Sequence, residues 1–217
     1  MDTVYLLKEK YLFLNNRMED DLSKDFGELK NRIINCQTCK DFLPNPPKPI
    51  FSVSPKSKIL IIGQAPGNKV HLSGIPWDDQ SGIKLRNWLG VTENEFYNTD
   101  LFGIMPMGFC YPGKGKTGDL PPRPECAPQW HDLLLKMMPP KPLRILIGTY
   151  AQNYYLRELQ QKNLTETVRH FEQYLPDYFP LVHPSPLNFR WQSRNGWFAT
   201  DLLPVLREKV RGIMMKT

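Results

Sequence analysis

The chain has 217 residues, 41% of them hydrophobic, enough to bury one substantial core, which argues for one domain over residues 1–217 with an N-terminal helical extension over about 1–35. Lysine and arginine outnumber aspartate and glutamate by 28 to 22, and the resulting pI of about 9.1 suits an anionic partner such as nucleic acid. No run of roughly 18 apolar residues offers a membrane span, and the opening MDTVYLLKEKYLFLNN mixes acids and lysines where a signal peptide needs a basic start and an apolar stretch. The expected location is the cytoplasm, with no membrane partner.

In chain order, residues 15–35 place Leu22, Phe26, Leu29, Ile33 and Ile34 near helical spacing, which predicts an amphipathic helix at the domain edge. FLPNPPKPIFSVSP (42–55) is rich in proline, which removes backbone donors, so an extended surface connection is expected. The apolar run Ile59 to Ile62 then ends in GQAPG (63–67), as a buried strand does when it delivers a turn to a sheet edge. Further strands are predicted within 101–109, 143–150 and 178–186, with helices at 81–90, 124–138 and 151–161 and a last one around 198–212. This alternation predicts an α/β fold, a three-layer sandwich whose central, mainly parallel four-stranded sheet is flanked by helices. Ligands of such sheets bind at the carboxyl ends of the strands.

Two strand ends present turns there: GQAPG and HPSP (183–186). GQAPG lacks the Gly-Lys-Ser/Thr of a P-loop and the glycine spacing of a dinucleotide fingerprint, so alone it reads as a tight turn. IPWDDQSGIKLRNWLG (75–90) sets Trp77, Asp78 and Asp79 before a helix start. An aspartate there accepts the first amide protons of the helix; that role is assigned to Asp78 and is the alternative for Asp79. Cys36 and Cys39 form C-x2-C, and Cys110 and Cys126 form C-x15-C. In a reducing compartment such spacing reads as metal ligation, with unliganded thiols as the alternative, and spacing alone does not choose an iron–sulfur cluster over four-thiolate zinc.

The ordered set GQAPG, GIPWDDQSG, the cysteines and HPSP resembles the uracil-DNA glycosylase superfamily over most of residues 36–200. It is closest to the iron–sulfur family 4, while Asp-x-Ser-Gly (79–82) resembles family 5. The resemblance implies a glycosylase that hydrolyses the N-glycosidic bond of uracil or another deaminated base in DNA, leaving an abasic site for base excision repair; a monomer is expected. No lysine stands in the first or last motif as a Schiff-base nucleophile, so a monofunctional enzyme is expected. Trp77 is then the base-stacking aromatic. Asp79 stabilises an oxocarbenium-like sugar or orients water, and His183 donates to a carbonyl oxygen of the leaving base, supported by the amide at Gln64. Gly63, Ala65 and Pro106 complete the base site. Leu187 matches the wedge pushed into the DNA stack, while Ser185, Arg190, Arg194, Lys114, Lys116 and also Arg123 meet the DNA backbone. Cys36, Cys39, Cys110 and Cys126 match the ligands of a structural [4Fe-4S] cluster, with zinc the alternative.

The chain departs from family 4 at Gln64, where that family has an acid, and at Pro106, where it has the asparagine that reads uracil. Together with Asp79, these departures imply a wider range of bases, including hypoxanthine and xanthine. Two rival functions remain at this level: a non-catalytic lesion- or nucleic-acid-binding protein that keeps the fold, and a hydrolase of small nucleosides or nucleotides.

Overall fold

The computed structural model describes residues 22–139 and 141–216. In chain order its strands are β1 (Ile59–Ile62), β2 (Phe102–Ile104), a hairpin of β3 (Lys114–Gly115) and β4 (Gly118–Asp119), β5 (Leu143–Ile147) and β6 (Tyr178–Leu181). Its helices are α1 (22–34), α2 (Asn68–Ser73), α3 (Gln80–Leu89), α4 (Glu93–Phe96), α5 (Cys126–Lys136), α6 (Thr149–Leu156), α7 (Leu164–Arg169), α8 (Phe189–Arg194) and α9 (Leu203–Met214).

The main sheet has the order β2-β1-β5-β6 and is parallel throughout, with Ile61 opposite both Ile104 and Ile145, and Ile145 opposite Phe179. Alternate residues of each strand point to opposite faces. Ile59, Ile61, Ile145, Phe179 and Leu181 pack with Leu85 and Trp88 of α3 and Leu206 and Val210 of α9. Leu60, Ile62 and Leu146 pack on the other side with Leu29 and Ile33 of α1 and Trp130 and Leu134 of α5. A parallel sheet covered on both faces is why the strands read as continuous apolar runs, and the expected three-layer α/β sandwich is what forms.

The strands end earlier than the apolar runs. In 101–109 the strand stops at Ile104, just before Pro106, which has no N–H to give a ladder. The segment still follows β1, with Met107 N–H donating to Gly63 O at 2.9 Å and Gly108 N–H to Gln64 O at 2.8 Å. In 143–150 the strand stops at Ile147, because Gly148 (φ 81°) turns the chain into α6, and α6 itself ends at Leu156, short of the predicted 161. The 178–186 strand stops at Leu181, and the last helix is entered through a π-helical turn, Phe198–Leu202.

In α1, Phe26, Leu29 and Ile33 are buried while Leu22 and Ile34 are exposed, a narrow stripe suited to the rim of a domain; the predicted start near residue 15 lies outside the described residues. The proline-rich connection closes the β2 edge through Ser52, bridged to Ile104, and Ile50, whose N–H donates to Phe109 O at 2.7 Å. Among the described residues no helix is long and apolar enough to cross a membrane.

Candidate active site

Because the strands are parallel, the segments after β1, β2 and β6 emerge on one edge, and the turn before α3 joins them. Gly63, Gln64, Ala65, Trp77, Asp79, Pro106, His183, Ser185 and Leu187 all line one cleft of about 460 Å³. The sequence therefore located residues far apart in the chain that the fold brings together.

Trp77 has φ 59°, a region that non-glycine residues rarely occupy. Two glycines make room for it: a Cβ on Gly63 would lie 2.9 Å from Trp77 Cζ2, and a Cβ on Gly82 would collide with the Trp77 carbonyl oxygen. The glycine of Asp-x-Ser-Gly is thus a steric requirement of the tryptophan turn. Tyr97 braces it by donating from its hydroxyl to Pro76 O at 2.9 Å.

The N-cap of α3 is Asp79, not Asp78: Gly82 N–H donates to Asp79 Oδ1 at 2.8 Å. This corrects the expected division of labour between the two acids. The capping oxygen leaves Oδ2 without a hydrogen-bond partner among the described residues, so one carboxylate serves the helix and still faces the cleft.

The His183 ring lies 5.6 Å from the Trp77 ring, tilted by 31°. Burial pushes its pKa below the usual histidine range, with the nearby Asp79 charge opposing the shift. Ser185 N–H donates to Nδ1 at 3.1 Å, which assigns the ring proton of the neutral form to Nε2. The histidine is a neutral N–H donor held by its own turn.

Pro106 has no side-chain donor or acceptor, and its carbonyl faces the interior. His131 Nε2–H donates to Pro106 O at 3.1 Å, and the Tyr155 hydroxyl donates to His131 Nδ1 at 2.7 Å. Burial lowers the His131 pKa to about 4.

Several cleft residues escaped sequence reasoning: Ser81, Asn188, Thr117 and Asp119. The last two belong to the β3–β4 hairpin, whose signal was the pair of glycines in KGKTGD. Burial raises the Asp119 carboxyl pKa and Asp79 adds to this, while Lys114 and the Tyr111 hydroxyl oppose it.

At the cleft mouth Leu187 is 85% exposed, and Arg190, Arg194, Lys114 and Lys116 are exposed. Arg123 is not a free cation: its Nη2 lies 2.6 Å from Glu125 Oε1 and its guanidinium stacks 4.3 Å from the Phe42 ring.

The four cysteines form no disulfide and line one small cavity with Ile33, Leu43, Phe109 and Trp130. Phe109 N–H donates to Cys126 Sγ at 3.3 Å, and the Lys48 backbone N–H is directed at the Cys110 sulfur. Burial pushes the Cys110 thiol up to about 11 and Cys126 up to about 12. Four converging sulfurs, apolar walls and N–H groups aimed at sulfur are what an iron–sulfur cluster requires of its donors, and the residues fit one. Among the described residues no group of three or more His, Cys, Asp or Glu is gathered closely enough to hold a metal ion.

A parallel sheet whose carboxyl edge surrounds a cleft lined by an aromatic, a carboxylate and a neutral histidine defines an α/β protein with a candidate ligand site at its strand ends. The family model of the Uracil DNA glycosylase superfamily matches residues 51–207, and the chain belongs to that superfamily. A uracil-DNA glycosylase-like function on DNA follows at that level.

Proposed function

We propose that the chain is a single-domain, monofunctional DNA glycosylase of the iron–sulfur family 4 kind with a family 5-like acid, releasing a deaminated base and leaving an abasic site. The observation that carries this reading is the convergence of Trp77, Asp79 and the Nε2–H tautomer of His183 on one cleft. An extruded base rests against the Trp77 face. His183 donates from Nε2 to a carbonyl oxygen of the base, which accepts the bonding electrons as the glycosidic bond breaks, and a neutral donor suits an anionic leaving group. Asp79 offsets the positive charge developing on the sugar and takes a proton from the water that adds to the anomeric carbon. The Gln64 segment frames the same charge; its carbonyl is engaged by Gly108 N–H.

Cys36, Cys39, Cys110 and Cys126 would hold the cluster, which supplies a structural clamp between the α1 end and the 110–126 loop. Iron and acid-labile sulfide in the purified protein, without stoichiometric zinc, is the expected content; zinc alone would replace the cluster in this reading.

The deciding experiment is base release from oligonucleotides carrying uracil, hypoxanthine or xanthine, single- and double-stranded, read as alkali-sensitive breaks. Release from at least one, lost in Asp79→Asn, is expected. Tight binding without release would replace the enzyme by a lesion-binding protein.

A further inference from the structure

Several polar atoms around the cleft are already engaged by the fold. Pro106 O receives His131, Asp79 Oδ1 receives Gly82, His183 Nδ1 receives Ser185, and Ser185 Oγ receives Leu187 N–H. Pro106 O, Asp79 Oδ1 and His183 Nδ1 are thereby occupied as acceptors, while the Ser185 hydroxyl keeps its donor. Asp119 accepts from the Tyr111 hydroxyl, yet a carboxylate has two oxygens and further acceptor sites to offer. Asp119 lies on the β3–β4 hairpin across from the first-motif loop, where a Cβ on Gly67 would meet its Oδ2 at 3.2 Å, and Thr117 and Gly118 beside it also line the cleft. Among the described residues no Lys, Arg or His forms an ion pair with it.

We propose that Asp119 is the specificity residue of the cleft, accepting a hydrogen bond from the ring N–H of an extruded lactam base. An ionised carboxylate only accepts. Deamination of cytosine turns N3 from an acceptor into an N–H donor, and deamination of adenine does the same at N1. An acceptor-only reader therefore separates the damaged base from its parent at the atom that changed. Because this reading uses one N–H and no ring-specific contact, it serves a pyrimidine and a purine alike, and it replaces the side-chain reader that Pro106 cannot be. Tyr111, Lys114 and Asp79 tune the carboxylate from around it.

This inference rests on the glycosylase reading, and its test separates the two. Base release is compared for wild type, Asp119→Ala and Asp119→Asn on oligonucleotides with uracil or hypoxanthine and on their N3-methyl or N1-methyl counterparts, which lack the N–H. In parallel, binding of an uncleavable 2′-fluoro uracil oligonucleotide and its N3-methyl form is followed by tryptophan fluorescence. Asp119→Ala is expected to slow release by about 10- to 100-fold, the loss of one charge-assisted hydrogen bond, with partial rescue in Asp119→Asn. N-methylation is expected to cost wild type about as much and Asp119→Ala little, a coupling that a purely structural residue would not show. Equal methylation costs in both proteins, or an alanine variant within about twofold of wild type, would overturn the proposal. Without any base release the glycosylase reading falls. The binding data then decide on Asp119: methyl-sensitive binding that vanishes with the side chain supports its role, and binding indifferent to it refutes that role.

Discussion

Trp77 shows how a few atoms set the shape of the cleft. Its backbone sits where a side chain costs on the order of 1 kcal/mol or more, and two close approaches hold it there. In Gly82→Ala the new Cβ meets a carbonyl oxygen of the backbone, which cannot step aside. A loss of about 2–3 kcal/mol in urea unfolding is expected, together with loss of base release. In Gly63→Ala the obstacle is the edge of the indole ring, which tilts more easily, so stability should fall by about 1 kcal/mol while base release falls further. Asp79 allows a sharper separation. Asparagine retains an oxygen for Gly82 N–H, so Asp79→Asn should keep the urea midpoint, whereas Asp79→Ala should lose about 1 kcal/mol with the cap. Both should lower base release by about 100-fold or more. An asparagine variant with full activity would reduce Asp79 to a helix cap.

At the scale of elements, the β3–β4 hairpin lies between the third and fourth cysteines, so whatever gathers the sulfurs also sets where Asp119 stands. With the proposed cluster in place, Cys126→Ser should lose its iron and let trypsin cut faster after Lys114 and Lys116; an unchanged cleavage rate would uncouple the hairpin from the cysteine cavity. The same hairpin marks the limit of what the sequence made legible. The four main strands could be read because burial on both faces leaves them almost wholly apolar. Their ends could not, since Gly148 acts through one backbone angle and the run around Pro106 stays buried after its ladder stops. Helices α2, α4, α7 and α8 are too short for a 3.6-residue period to stand out. In the site, residues on turns after long strands were legible. Asp119 was not, because two-residue strands carry no alternation and its relation to Gly67 exists only in the folded chain. The exchange of Asp78 for Asp79 as N-cap turns on a single residue of helix register, finer than composition can resolve.

For the whole molecule, charge and acid response are opposed in a testable way. With Arg123 held by Glu125, the exposed cations on the elements beside the cleft include Arg190 and Arg194 on α8 and Lys114 and Lys116 on the hairpin. Replacing Arg190 and Arg194 together by alanine should flatten the dependence of log K on log salt by up to about 1.8 for duplex DNA if each meets one phosphate. Lowering the pH adds to the net positive charge of the protein, yet the fold should weaken. His131 titrates near its ordinary value of about 6.5 when unfolded, and its pKa falls to about 4 when buried between Tyr155 and Pro106. Between those values the unfolded chain binds more protons, so stability rises with pH through this window and is lost as the pH falls through it. From pH 7 to pH 5, His131 alone should remove about 2 kcal/mol, read as a falling urea midpoint. His131→Gln should be less stable at pH 7 but lose this part of the slope, and an unaltered slope would assign acid sensitivity to other groups. His183 is displaced in the same direction by burial, so it should remain the neutral Nε2–H donor below the usual histidine range. The rate of base release by folded protein should therefore hold steady while stability is already declining, and a rate that tracked the urea midpoint would contradict that assignment.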